Sequence, residues 1–244
     1  MNSFIKSTLK TSLIILLFIL FISIVHYIVF PQETRCILID FSDFKKEGRL
    51  YYNETSSQEK IDSLLTIIVN ASARVDSFWQ GKLCKPKFIY CENDEDFKKY
   101  GNPNLVPAIV KTKLGSYIVI SRNGIDLDII SHEISHAELF ERIGFIKYTF
   151  NIPTWFNEGL AMQVDYRSYY SEDTLKVKSN NYSNMPDVEN LKTADQFYNG
   201  SREEIMLNYM TSKHEVSRWY SQDKLDNFLI KLNAGEDFDK SFIK

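Results

Sequence analysis

An almost unbroken apolar run lies near the start of the chain. It covers residues 13–30 and, counted from Thr11, is about 20 residues long, which is enough to cross a bilayer as a helix. A cleaved signal peptide would have a shorter apolar core and a small-residue cleavage site, and neither is present. The pattern therefore predicts a transmembrane signal anchor at residues 11–30, with residues 1–10 as a cytoplasmic tail.

The charges on both sides of this run predict its orientation. Lys6 and Lys10 lie in the short tail before it, and basic residues favour the cytoplasmic side. Arg35 and two lysines follow the run, so the bias is modest. We expect a single-pass protein of the cell membrane whose residues 31–244 lie on the extracytoplasmic side.

Beyond the anchor, short strand-like segments alternate with longer helical patterns. The predicted strands are residues 36–40, 86–91, 106–110 and 116–121, the last two forming a hairpin. The predicted helices are one that follows a capping-box pattern at 56–59 and ends near 80, then 93–100, 203–220, 222–232 and a short piece from 236. Residues 165–190 show no periodicity, which indicates either a lid at the mouth of a site or a surface insertion.

These elements predict an α+β fold for residues 31–244. Its first lobe, at about 36–145, would hold a small mixed or antiparallel sheet with helices. Its second lobe, at about 150–244, would be mostly helical.

One segment carries a chemical pattern. Residues 132–136 read H-E-x-x-H, and on a helix two residues four apart lie on the same face, one turn apart. His132 and His136 would therefore aim their imidazoles at one point, as two zinc ligands do. Glu133 lies beside that face, where a carboxylate can act on a metal-activated water without binding the metal.

The surrounding residues favour the helix that this spacing requires. Asp126 or Asp128 can cap its start, and Gly144 can end it. Apolar residues recur between them at helical spacing, so we expect the helix to be buried. Buried His and Glu side chains need partners, and a metal ion supplies them. The alternative is a pair of core histidines that are satisfied within the protein.

The third ligand decides the type of site. The chain does not continue as a metzincin, because Leu139 and Arg142 stand where that motif has its Gly and its last His. Residues 153–161 read P-T-W-F-N-E-G-L-A, which predicts a second helix that starts near Pro153. Glu158 would lie there among apolar neighbours, where a carboxylate needs a partner. We expect Glu158 to be the third ligand; the alternative is an exposed helical Glu.

H-E-x-x-H followed by W-F-N-E-G-L-A resembles the gluzincin metallopeptidases of the thermolysin-like clan, in particular the bacterial peptidase MA-like domains. The motif similarity covers roughly residues 116–165, and a weaker similarity runs from about Cys84 to the C-terminus. The resemblance implies one zinc ion bound by His132, His136 and Glu158. It implies that Glu133 is the general base of a membrane-anchored peptidase that hydrolyses peptide bonds in a peptide or protein substrate.

The resemblance also indicates substrate contacts. In gluzincins the strand before the zinc helix is often a sheet edge that pairs with an extended substrate. Ser116, Tyr117 and Ile118 occupy that place. Asn157 would orient Glu158 or a substrate backbone.

The oxyanion that develops during hydrolysis needs a hydrogen-bond donor. Tyr209 resembles a tyrosine that opens a C-terminal helix in related domains, and we favour it. His214 is the only histidine of residues 31–244 outside the motif, and it is the alternative.

Two further functions stay open from the sequence. The domain could keep zinc as a structural element and act as a catalytically inactive binding module, although a structural site has no need of Glu133. The same scaffold could serve as a zinc amidase or esterase, because a fold does not determine its substrate. An aminopeptidase is less favoured, because no G-x-M-E-N segment precedes the zinc helix.

The composition limits the classes of partner that the chain is expected to bind. The formal net charge is −3 with 25% charged residues, so there is no basic field for nucleic acid. The three cysteines, Cys36, Cys84 and Cys91, allow at most one internal disulfide. Reduced cysteines buried as small apolar side chains are the alternative.

Overall fold

The structure is a computed structural model that describes residues 2–101, 108–112 and 114–242. It combines a small mixed sheet with a larger share of helix, so the predicted α+β class is confirmed. The helices are α1 Asn2–Val29, α2 Pro31–Ile37, α3 Gln58–Trp79, α4 Asp94–Tyr100, α5 Leu127–Phe150, α6 Thr154–Ala161, α7 Glu172–Lys178, α8 Ala194–Tyr198, α9 Arg202–Trp219, α10 Gln222–Asn233 and α11 Phe238–Ser241. The strands are β1 Lys45–Glu47, β2 Leu50–Tyr52, β3 Lys87–Cys91, β4 Ala108–Thr112 and β5 Gly115–Ser121.

The strands pair into one sheet of order β1-β2-β3-β5-β4. β2, β3 and β5 run parallel to one another, while β1 and β4 pair antiparallel at the two edges. The predicted hairpin is confirmed for β4 and β5, where Thr112 pairs with Gly115. Residues 106 and 107, which we predicted to begin the first strand of that hairpin, lie outside the described residues.

The sheet edge predicted at β5 is wrong. β5 lies between β3 and β4, and its backbone pairs with both. Its peptide groups therefore have no open side to offer an extended substrate. Ser116, Tyr117 and Ile118 are buried, so the strand pairing does not support the substrate contacts expected of these three residues.

Side-chain alternation divides the sheet between two apolar clusters, because successive strand residues point to opposite faces. Phe88 and Ile118 face the main cluster, which also takes in α3 and α5. Ile89 and Val119 face a second cluster that contains residues of α2 and α4. The main cluster continues to Phe228 and other residues of the C-terminal helices, so the sheet and the helical part share one core that supports α5.

Helix α1 contains the predicted apolar segment. Ser7–Val29 is 23 residues long, its most apolar 18-residue window has a mean hydropathy of 2.8, and none of that window is buried against the rest of the chain. This helix is long and apolar enough to span a membrane. Helical structure begins at Asn2, so it also includes most of the predicted polar tail.

The strand predicted at residues 36–40 is wrong. These residues form the end of α2 and a 3-10 turn, Ile39–Phe41. Pro31 stands in the first turn of α2, where its fixed φ favours a helix and its missing N–H costs nothing. The apolar side chains Cys36 and Ile39 still face the second cluster, as strand residues would, but from a helical backbone.

The aperiodic segment at 165–190 contains short helices that were not predicted: α7 and the 3-10 turns Ser168–Tyr170 and Val188–Asn190. Ser171 caps α7 by accepting the N–H of Thr174. Helices this short complete two turns or fewer, so they leave no readable apolar period.

The cysteines are free and buried. Cys84 lies in the main cluster and Cys36 and Cys91 in the second. Burial raises the pKa of each thiol above its ordinary value. The interpretation as small buried apolar side chains is confirmed.

Candidate metal centre

Helix α5 brings the two histidines of the motif together. Asp126 caps its start by accepting the backbone N–H groups of Asp128 and Ile129 at 2.9 and 3.0 Å. Its helical geometry breaks at Gly144, whose φ of 78° suits a residue without a Cβ. Between these points His132 and His136 share one face, and their Nε2 atoms lie 3.0 Å apart.

Helix α6 supplies the carboxylate. Glu158 is 5% exposed, and its Oε2 lies 3.2 Å from His132 Nε2 and 3.4 Å from His136 Nε2. Trp155 and Phe156 anchor this helix in the main cluster. The apolar neighbours of Glu158 in the sequence made it a candidate ligand. In the structure its carboxylate lies beside both imidazoles.

Gly159, next to this ligand, has a packing role. A Cβ at this position would lie 2.7 Å from Val216 Cγ2 of α9 and closer still to the carbonyl of Ser212. Contacts this short do not occur in packed proteins, so only glycine lets α9 approach α6 this closely. The close approach carries α9, and Tyr209 on it, to the metal centre.

These three side chains could hold a metal ion. They are buried, and their ligand atoms lie within 4.8 Å of one another. Asn157 Oδ1 lies 2.9 Å from His136 Nδ1 and, as an amide oxygen, can only accept, so the proton of His136 is held at Nδ1 and its Nε2 carries a lone pair. Two imidazole nitrogens and one carboxylate oxygen are the ligand set of many catalytic zinc sites. Lone pairs that converge without enough protons between them need a cation.

Two further side chains hold ligands, each by the atom that faces away from the centre. The hydroxyl of Tyr198 donates to Glu158 Oε1 at 2.7 Å, which leaves Oε2 turned toward the histidines. Asn157 holds His136 and donates its amide N–H to the Tyr148 hydroxyl at 2.7 Å. The Asn157 side chain therefore contacts His136 and Tyr148, and its expected role toward Glu158 or a substrate backbone stays a prediction.

Asp165 is the charged neighbour of His132. Its Oδ2 lies 3.9 Å from His132 Nδ1, a buried nitrogen without a hydrogen-bond partner among the described residues. Arg167 binds both carboxylate oxygens of Asp165. Burial raises the pKa of Asp165, but the bonds from Arg167 and the charge of His132 outweigh it and hold this pKa below its usual value. A carboxylate at this place favours a proton on His132 Nδ1, and so a lone pair on Nε2.

The electrostatics of Glu158 and Tyr209 follow from the same burial. Burial raises the pKa of Glu158, but His136 and His132 outweigh it and hold this pKa well below its usual range. Burial and the charge of Glu158 raise the pKa of Tyr209 well above its usual value. Glu158 is therefore an anion and Tyr209 a neutral phenol at neutral pH.

Of the remaining predicted residues, Glu133 and Tyr209 lie near the candidate metal centre and His214 does not. Glu133 is half-buried, and its charge contributes to the raised pKa of Tyr209. The Tyr209 ring lies 6.3 Å from the His132 ring. His214 points elsewhere, with its Nδ1 2.7 Å from Glu172 and its ring stacked on Tyr182. The structure therefore brings Tyr209, and not His214, to the centre.

Sequence reasoning missed Tyr198 and Asp165. Tyr198 lies 40 positions after Glu158 at the end of the five-residue helix α8. Asp165 follows the 3-10 turn Met162–Val164, in a segment without periodicity. The sequence offered no signal for Asp165, because its burial, which requires a partner, is a property of the packed structure.

Comparison of the chain with protein-family models, with curated proteins and with solved structures finds no match.

Proposed function

We propose that residues 31–244 form a zinc-dependent peptidase of the gluzincin type, attached to the cell membrane by α1. The observation that carries the proposal is the convergence of His132 Nε2, His136 Nε2 and Glu158 Oε2 in a buried setting. It is supported by the position of Glu133 on the same helix and of Tyr209 beside His132. A structural metal site has no need of either.

The ligands would hold one zinc ion through these three atoms. Zinc, when bound, supplies a Lewis acid that polarises a carbonyl group and makes water more acidic. Tyr198 keeps Oε1 of Glu158 occupied, and Asn157 fixes the tautomer of His136. Such partners raise metal affinity by holding the ligand atoms in place.

Glu133 would move the proton. Its carboxylate accepts a proton from the attacking water and returns it to the leaving nitrogen of the peptide. The Tyr209 hydroxyl donates to the oxyanion that develops on the scissile carbonyl. Because its pKa is raised, Tyr209 keeps this proton throughout the neutral range.

The membrane attachment completes the proposal. α1 would cross the bilayer once, with Lys6 and Lys10 on the cytoplasmic side and residues 31–244 outside. Protease added to intact cells should then digest residues 31–244 and leave α1 protected. Digestion only after the cells are opened would show that the orientation is the opposite one.

The experiment that tests the activity compares Glu133→Gln with wild type. The variant should keep about one zinc per chain, because Glu133 is not a ligand, and should lose turnover on a mixed peptide library, because it cannot accept a proton. Glu141→Gln is the matched control, since Glu141 is an exposed residue of the same helix, and it should change neither quantity.

The other outcomes identify the alternatives. A wild-type protein that binds zinc and cleaves no peptide would be a binding module. Hydrolysis of amide or ester substrates alone would indicate an amidase or esterase. Full turnover by Glu133→Gln would remove the role proposed for Glu133.

A further inference from the structure

Helix α1 is joined to the domain without a flexible linker. Only Phe30 separates the end of α1 from the start of α2. His26 Nδ1 lies 2.7 Å from Thr34 Oγ1, and the Arg35 guanidinium lies over the Tyr27 ring at 5.8 Å. Two residues eight apart in a straight helix are separated by about 12 Å along the axis. The chain therefore bends sharply at Phe30, and the middle of α2 lies beside the last turn of α1.

Helix α2 in turn is fixed to the folded domain. Cys36 is completely buried in the second cluster, with its Sγ 3.4 Å from the carbonyl of Tyr100. Arg35 donates to the carbonyl of Lys99 at 3.1 Å. Ile39, in the following turn, is 1% exposed. Folded structure is therefore continuous from the end of α1 to the sheet, so the orientation of α1 determines the orientation of the domain.

The same segment presents apolar side chains outward. Phe41 is 87% exposed, the largest value among the exposed large apolar side chains in the described part of the chain, and Leu38 is 48% exposed. Phe41 ends the 3-10 turn that follows the seven-residue helix α2, and the two elements together span roughly 20 Å at most. Because Thr34 lies beside His26 near the end of α1, Phe41 stays within about this distance of the outer end of α1.

The charges around Leu38 and Phe41 would not attract this surface to lipid. Lys46 and Lys87 lie 2.8 and 2.6 Å from Asp40, and the one positive charge left over is matched by the exposed carboxylate of Glu47. Asp43 and Lys45 are also exposed beside it, with opposite signs. Any contact with a bilayer therefore rests on burial of apolar area and needs no anionic lipid.

We propose that Leu38 and Phe41 insert into the headgroup region of the bilayer that α1 crosses. The partner of this surface is the lipid itself, and the contact holds the domain in one orientation on the membrane. The candidate metal centre then keeps a constant direction relative to the bilayer. The proposal rests on the membrane-spanning role of α1 and is independent of zinc and of catalysis.

The test uses the full chain in nanodiscs of phosphatidylcholine, with and without bromine on the upper part of the acyl chains. Phe41→Trp places an indole at the proposed contact. Val177→Trp is the matched control, because Val177 is 80% exposed and lies on α7, an element distant in sequence from α2. The native residues Trp79, Trp155 and Trp219 are buried, and wild-type protein supplies their background emission.

We expect the Phe41→Trp emission to shift to shorter wavelength and to be quenched by brominated lipid, while Val177→Trp emission does neither. Equal quenching of both variants, or of neither, would overturn the proposal. A shifted but unquenched Phe41→Trp emission would show that protein, such as a second copy of the chain, covers this surface. A chain that does not co-elute with the nanodiscs would overturn the role of α1 and this proposal together.

Discussion

Helix α5 carries two buried charged clusters, and their difference explains why one of them points to a metal. The first surrounds Glu138, which is completely buried. Its carboxylate accepts the backbone N–H groups of Leu83 and Cys84 at 2.9 and 2.8 Å, and Arg142 Nε donates to it at 2.8 Å. Every charge in this Glu138 cluster meets the opposite charge or a donor.

The second cluster is the candidate metal centre. His132 Nε2 and His136 Nε2 face each other and Glu158 Oε2, so three atoms that can each bind a metal ion converge in one buried place. Burial costs a polar group little when its partners are in the protein and much when they are missing. Burial alone therefore does not mark a functional site; buried ligand atoms whose partners are incomplete do.

The largest expected effect is the loss of zinc from a variant that changes the candidate metal centre and leaves the Glu138 cluster intact. His136→Ala removes one of three ligand atoms, so zinc content should fall from about one per chain to near zero, because structural and catalytic zinc sites need at least three protein ligands. Metal analysis after dialysis measures this, and circular dichroism should show that helix content is retained. Full zinc occupancy in this variant would sink the ligand assignment.

Glu138→Gln is the reciprocal variant. It should leave zinc content unchanged and lower the free energy of unfolding by roughly 3–5 kcal/mol, because Arg142 loses its partner in a buried pair. Chemical denaturation of the metal-free domain measures the loss. If this variant also loses zinc, the two clusters are coupled and the comparison between them fails.

Tyr209→Phe should reduce turnover about a hundredfold or more, since it removes the donor to the developing oxyanion. Zinc content and folding should be unchanged. His214→Ala is the control and should have little effect, because His214 contacts Glu172 and Tyr182. If His214→Ala abolishes turnover and Tyr209→Phe does not, the donor is His214.

Tyr198→Phe should weaken zinc binding by about 10- to 100-fold, the usual cost of losing a partner that orients a metal ligand. A competition titration with a zinc chelator measures the affinity directly. Tyr220→Phe is a matched control, because its hydroxyl donates to the Phe78 carbonyl at 3.2 Å. Equal affinity in wild type and Tyr198→Phe would show that Glu158 needs no support from Oε1.

The smallest expected effect concerns pH and Asp165. Arg167 and His132 hold its pKa below the usual value despite burial, so the stability it contributes is present above the unfolded pKa of about 3.9 and is lost as pH falls through the folded pKa. The stability difference between wild type and Asp165→Asn, both metal-free, should shrink between pH 6 and pH 3. A difference that stays constant over this range would show that the charge of Asp165 does not contribute to the stability of the fold.

The sequence by itself determined the local part of this site. Residues four apart on a helix meet because the backbone period brings them together, so His132 and His136 were readable once Asp126 and Gly144 bounded the helix. The apolar neighbours of Glu158 were readable for the same reason. The apolar run in α1 and the predicted strands of β3 and β5 also rest on composition and spacing within a single element.

Only the tertiary structure decided what lies around those residues. Tyr198 reaches Glu158 from 40 positions away, and Asp165 reaches His132 from a segment without a period. β5 is an interior strand because β4 pairs with the side that β3 leaves open. The sequence of β5 alone does not show which strands will pair with it. Contacts between elements depend on packing, as at Gly159, where the missing Cβ lets α9 bring Tyr209 to the centre.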